Sequence, residues 1–303
     1  MGYQEYLFIS TNLKAKFDKF IAPDEWKRLK DLSYEELEEW LKNSSYSFLL
    51  ESEDWYKSSW NVLKKDLEEV KRSVRNEEVY NILLWDFYFR NLRIQVHSIK
   101  EERVELYPIP LTKDFNKIFK SVYDKAIELW EKTNNIFLVY LFLDLQNIII
   151  SQKFFESIAN NNIKEFYRFK NNLLLIKVLY RTKRLNIQWD LLKDAGIERV
   201  KTTIDLRNIF NSSLNLWNNY FYGIYSRFVG DLIDKNEDIE YLYRSYIFEF
   251  IRKFTSIVSG PEVVLFYFYN KYFEMDELIT LFKVKRNKIS KNIWEKRLLK
   301  ING

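Results

Sequence analysis

A chain of 303 residues, 47% hydrophobic and 18% aromatic, is long enough for a large core or several modules and too apolar for disorder. Only six glycines and four prolines are present, which removes the turn chemistry of hairpins, sandwiches and α/β loops, so the expected class is all-α. The 48 basic and 43 acidic residues are interspersed at a net charge of +5, as on a solvated helical surface rather than a dedicated nucleic-acid binder; the absence of cysteine excludes disulfides and thiolate chemistry and suits an intracellular setting.

The first helix is expected over 3–21, and Pro23 marks the start of a second. Ser33 and Glu36 have capping-box spacing ahead of Leu37, Trp40 and Leu41. A charged amphipathic helix is expected over 55–74 and an apolar one over 79–100. Tyr107-Pro108-Ile109-Pro110 is the clearest break in the chain. Helices follow over 112–132, 135–158 and 162–185, then a looser stretch through Asn186 and Gly196, then helices over 203–228 and 238–258. Gly260-Pro261-Glu262 opens a last apolar helix, and a basic tail over 283–300 ends the sequence. The N-terminal residues lack the basic and apolar regions of a signal peptide, and Tyr6 stands where a myristoylation signal needs Ser or Thr. The longest apolar run, 136–150, is short for a bilayer span and contains Asp144, Gln146 and Asn147, so no membrane-spanning segment is expected and the chain is read as soluble.

The helix over 166–185 is apolar nearly all round, the pattern of a central helix, yet Lys170, Lys177, Arg181 and Arg184 share one narrow lane along it. Moved back by 84 residues, Lys177, Arg181 and Arg184 fall on Arg93, His97 and Lys100; moved forward by 102, they fall on Ile279, Lys283 and Arg286. A second echo relates Ser33-x-x-Glu36 to Thr202-x-x-Asp205, each followed by an apolar turn and a Ser-containing stop. Together these indicate a single helical chain, 1–303, of three pseudo-repeats, 1–106, 107–188 and 189–303.

The glycines, at 2, 196, 223, 230, 260 and 303, form no phosphate-binding loop or dinucleotide fingerprint. His97 is the sole histidine, so neither an HExxH zinc site nor a His-based triad can form within this chain. Plentiful Asp and Glu leave an all-carboxylate Mg²⁺ site open as an alternative, but no DxxD or ExxE cluster sits beside basic residues in a way that indicates one. No catalytic residues, cofactor or metal are expected.

Four stretches resemble the C subunit, called d in eukaryotes, of archaeal and vacuolar-type rotary ATPases: SYEELEEWLKNSSY (33–46), WDFYFRNLRIQ (85–95), FFESIANNNIKEFYRFKNNLLLIKVLYRTKRL (154–185) and GPEVVLFYFYNKYFEMDELITLFKVKRNKISKNIWEKRLL (260–299). The likeness covers nearly the whole chain through soft helical patterns. Departures are Asn172 in place of the usual Asp, Glu277 and Ile279 in place of Asn and a basic residue, and Lys283-Val284-Lys285 in place of Val-Gly-Lys. The resemblance implies an all-α, funnel-like assembly of three related helical units around a pseudo-threefold axis, seated on the membrane rotor ring of proteolipid subunits. It also implies a cytoplasmic, membrane-peripheral subunit that receives the central shaft, transmits torque for proton or other ion transport coupled to ATP synthesis or hydrolysis, and has no active site of its own.

Under that reading Arg93, His97, Lys100, Lys177, Arg181, Arg184, Lys283 and Arg286 are candidate partner contacts. The alternative is that the lanes pair with internal carboxylates or solvent, the default for cations. From another class, the basic C-terminal region would suit a helical nucleic-acid-binding protein, although no RNP-type or helix-turn-helix pattern is present and no nucleic acid is expected as partner.

Overall fold

The computed structural model describes residues 2–52, 54–74, 77–97, 113–156, 158–234, 238–295 and 298. Every regular element among them is helical: α1 (Gly2–Lys14), α2 (Pro23–Asp31), α3 (Tyr34–Lys42), α4 (Trp55–Ser73), α5 (Glu77–His97), α6 (Lys113–Thr133), α7 (Ile136–Phe155), α8 (Asn161–Arg184), α9 (Trp189–Asp194), α10 (Leu206–Asn211), α11 (Ile224–Asp234), α12 (Ile239–Ile251), α13 (Pro261–Arg286) and α14 (Lys291–Trp294), with short 3₁₀ turns between some of them. The all-α class expected from the composition is what is observed. Lys100, the Tyr107–Pro110 break, the boundary between the first two pseudo-repeats and Lys296, Arg297 and Lys300 lie outside the described residues.

Local chemistry accounts for the helix starts. Ser33 caps α3 in a reciprocal box: its Oγ accepts from the Glu36 amide at 3.2 Å while Glu36 Oε2 accepts from the Ser33 amide at 2.7 Å. Asp54, Asn135 and Asn160 each accept from amides of the first turn of α4, α7 and α8. The second echo holds only partly. Thr202 makes no reciprocal box with Asp205; Asp205 is itself the N-cap of α10, accepting from the Asn208 amide at 3.0 Å. The helix expected over 203–228 is correspondingly broken into α10, a 3₁₀ stretch over Leu214–Tyr220 and α11, with an extended Phe221 and Gly223 at φ 60° before α11.

Two long helices end identically. Asn186 takes φ 53° after α8, and the Ile187 amide donates to the Thr182 carbonyl at 3.0 Å; Lys288 takes φ 52° after α13, and the Ile289 amide donates to the Val284 carbonyl at 2.9 Å. This is a Schellman ending with its left-handed residue at C′. In both places the next residue, Gln188 or Ser290, is the N-cap of a short helix, α9 or α14. All these pairs differ by the 102 residues that align the basic lanes.

The chain divides into two compact units, Met1–Leu83 with Glu240–Gly303, and Leu84–Ile239. In the first, α13 packs against α1, α3 and α4. Nineteen of its positions, from Pro261 to Val284, are buried, which is why it shows no polar side. Gly260 at φ 143° turns the chain into it and donates its amide to Ser10 Oγ at 3.2 Å, so a residue other than glycine would be strained there. In the second, α7 and α8 form an antiparallel hairpin flanked by α6, α9 and α11. At 20 residues and a mean hydropathy of 1.3, α7 is long and apolar enough to cross a membrane by length and composition, which the run 136–150 had not suggested. Within its unit 61% of that window is buried, and the helix carries the fully buried Asp144.

Candidate functional site

The basic lane of α8 begins inside the protein. Lys170 is buried and its Nζ pairs with Asp86 of α5; burial pulls its ammonium below the ordinary lysine value, with the Asp86 charge opposing. Lys177 is only 2% exposed. One turn on, Arg181 reaches Asp144 of α7 with Nη1 3.6 Å from Oδ2. Asp144 also pairs with Arg93 Nη2 of α5. A carboxylate removed from water needs compensating charge, and two guanidiniums supply it here. One turn further along α5, His97 Nδ1 meets Tyr140 Oη at 2.6 Å, so 93 with 144 and 97 with 140 give α5 and α7 an antiparallel register. Burial raises the Tyr140 phenol while Arg93 opposes the shift.

The three lanes share a gradient. At the first level Arg93 is on Asp144, while Lys177 and Ile279 are buried; at the second His97 is exposed and Arg181 and Lys283 are half-buried; at the third Arg184 and Arg286 are exposed. The C-terminal ends of α8 and α13 therefore present cations to solvent, where the helix dipole also favours them.

Arg286 and Lys283 line an open cleft of about 580 Å³ with Asp54, Trp55, Tyr56 and Asn287. Lys283 Nζ lies 4.4 Å from the centre of the Tyr56 ring and 5.7 Å from that of Trp55, and the Arg286 guanidinium lies 5.8 Å from Trp55. The rings orient these cations, and with Asp54 as the acidic residue of the lining the cleft is aromatic-backed and net basic. Periodicity along α13 found the cations. It did not find the rings, which come from the first turn of α4, 228 and 227 residues before Lys283.

The counterpart of Arg93 and Lys177 on α13 is Ile279, and this is where charge changes sides. At this level of α13 the carboxylates belong to the long helix and the cation to its neighbour: Arg244 of α12 meets Glu277 at 2.8 Å and Asp276 at 2.9 Å and lies over the Phe273 ring. Glu277, one of the departures from the resembled pattern, is thus a buried partner of Arg244.

Two further carboxylates are held inside this unit. Glu274 is fully buried and accepts from the Ile21 amide at 2.8 Å and from Tyr46 Oη; burial outweighs these donors and pushes its carboxyl up to about 8. Asp66 accepts from Lys16 at 2.9 Å, Lys271 at 2.5 Å and Tyr267 Oη at 2.9 Å. Burial opposes its ionisation, yet Lys271 and Lys16 hold it below the ordinary carboxylate value. Among the described residues no group of three or more His, Asp or Glu side chains is placed to hold a metal ion.

Part of the basic tail is turned inward. Lys285 Nζ donates to the Lys30 carbonyl at 3.0 Å and to the Leu32 carbonyl, closing the end of α2, and burial draws its ammonium down. Lys291 pairs with Asp31 at 2.6 Å and with Glu295 at 3.9 Å.

No protein-family model matches the chain, and no curated protein matches it.

Proposed function

We propose that this chain is the non-catalytic central-stalk adaptor of an archaeal or vacuolar-type rotary ATPase, seated on the membrane rotor ring and receiving the shaft. The observation that carries the reading is the repeat of one helix. Thr182, Asn186 and Ile187 on α8 and Val284, Lys288 and Ile289 on α13 make the same ending 102 residues apart, within the stretches that resemble that family.

The mechanics of the role favour the same reading. A torque transmitter must be stiff, and long helices buried on all sides and cross-tied by internal ion pairs resist bending. It must also grip partners. The ends of the lanes, Arg184, Lys283 and Arg286, reach the surface as His97 does and are the contacts proposed for an acidic partner, whereas Arg93, Lys177 and Arg181 belong first to the interior. The funnel shape, the pseudo-threefold axis, the pseudo-repeats at 1–106, 107–188 and 189–303, the coupling to ion transport and the cytoplasmic, membrane-peripheral location all belong to this proposal.

Purified chain mixed with the shaft subunits and, separately, with detergent-solubilised proteolipid ring is expected to bind both and to hydrolyse no ATP alone. Failure to bind either would sink the proposal.

A further inference from the structure

We propose that the cleft where α7 gives way to α8 binds a phosphoryl group, carried by a soluble small molecule or a lipid headgroup. The cleft encloses about 540 Å³ in the second unit, a size suited to a small ligand, and its wall includes Lys164, Arg168, Asn171, Asn172, Thr202 and Thr203. This site lies apart from the basic lanes on which the adaptor reading rests.

Charge is the first reason. Lys164 and Arg168 stand at i and i+4 on α8, and neither side chain makes an ion pair or hydrogen bond among the described residues. Like charges at that spacing repel, and a bound anion would relieve them. Lys201 also lines the cleft, with Glu156 as the acidic group on its wall; that carboxylate is occupied by Lys201 at 2.7 Å.

The second reason is a set of neutral donors already fixed in place. Asn171 is 6% exposed, and one end of its amide meets Ser151 Oγ at 3.0 Å, leaving the other end without a partner among the described residues. Asn172 Nδ2 donates one hydrogen to Tyr225 Oη at 3.1 Å, which fixes the amide and leaves its second N–H as the donor. The segment bearing Thr202 and Thr203 is anchored at its start, Lys201, by one side chain: Gln152 Nε2 donates to the Lys201 carbonyl at 2.8 Å, and Gln152 Oε1 accepts from the Lys201 amide at 3.0 Å. Behind them Tyr167 and Phe155 stack with ring centres 3.7 Å apart, a buried floor that does not need to move.

A guanidinium, an ammonium, hydroxyls and amide donors around one small space match a tetrahedral oxyanion with several acceptor oxygens better than a planar carboxylate. The neutral part of the wall is held by these contacts, so ordering on binding falls mainly on the Lys164 and Arg168 side chains.

Pyrophosphate is the probe. Titration calorimetry of the full chain at fixed ionic strength is expected to show saturable one-site binding, weakened at least about tenfold in Lys164→Gln/Arg168→Gln and about threefold in Thr203→Val. The charge-matched control Lys64→Gln/Arg72→Gln, on α4, should bind as wild type. Circular dichroism checks that each variant is folded. Co-sedimentation with vesicles containing a phosphoinositide, lost in the Lys164/Arg168 variant, assigns the phosphoryl group to a headgroup; pyrophosphate binding without co-sedimentation assigns it to a soluble molecule. No saturable binding of either probe, or an equal loss in the α4 control, overturns the proposal. Loss of rotor-ring or shaft binding bears on the adaptor reading alone and leaves this test unaffected.

Discussion

Asn186 and Lys288 occupy equivalent positions 102 residues apart, each in the left-handed backbone conformation that closes a long buried helix. Neither is glycine, so each holds a conformation that costs an L-residue about 1 kcal/mol, with asparagine the better tolerated of the two. Two such endings in one phase, each followed directly by a short helix, are stronger grounds for an internal repeat than matched cations, because lysine and arginine are common in this chain.

Lys288→Gly should therefore stabilise the protein by about 0.5–1 kcal/mol, and Asn186→Gly by less. Lys288→Val should destabilise it by more than about 1 kcal/mol, because a β-branched residue is poorly accommodated at positive φ. Urea denaturation monitored by circular dichroism reads all three. Equal stability of the glycine and valine variants at 288 would remove the assignment of this ending.

The Asp144 cluster predicts a non-additive pair of mutations. Arg93→Met or Arg181→Met alone leaves one guanidinium beside the buried carboxylate and should cost about 1–2 kcal/mol. The double variant strands the charge and should cost about 3–5 kcal/mol. Simple additivity in chemical denaturation would mean that the two arginines do not share Asp144.

Glu274 predicts a pH dependence of definite sign. Its carboxyl is raised from the ordinary value of 4.5 to about 8 in the folded protein, so the folded state holds a proton that the unfolded state releases. The stability from this group is fully present below about pH 4.5 and is lost as pH rises towards 8, an amount on the order of 3 kcal/mol or more. Glu274→Gln should flatten that decline between pH 5 and 8 in urea melts taken across pH. An unchanged slope would show that Glu274 is not the group responsible.

Reversal of charge should have different effects along the lanes. Lys283→Glu/Arg286→Glu, at the partly open cleft, should cost about 1–2 kcal/mol through the lost ring contacts and helix-end charge while weakening binding to shaft or ring, with wild-type binding falling as salt rises. Lys177→Glu puts a carboxylate where a buried ammonium sits and should destabilise the fold by more than about 3 kcal/mol. Thermal melts alongside binding assays separate the two effects. Normal binding by the Lys283/Arg286 variant would remove the cleft from the interface.

Much of the architecture was legible along the chain. Scarce glycine and proline together with 3.6-residue periodicity placed α4, α6, α7 and α8 within a few residues, because caps and apolar patterns act over one or two turns. The expected helix over 203–228 starts only after its cap at Asp205 and breaks where Phe221 and Gly223 leave the helical region, choices that depend on what the backbone packs against.

The sequence by itself determined the helical class, the central place of α8 and α13, and the phase of the basic lanes, since each follows from local propensity and from which sides of a helix are apolar. Only the tertiary structure decided where the lanes lead. Arg93 and Arg181 meet at Asp144 from helices far apart in sequence, Lys283 finds the rings of Trp55 and Tyr56, and α13 takes carboxylates to Arg244 where α8 takes cations to Asp86 and Asp144. A side chain's partner is set by which helices are packed together, and helical periodicity carries no record of that. The same residue types can therefore serve as internal ion pairs at one end of a helix and as an open basic surface at the other.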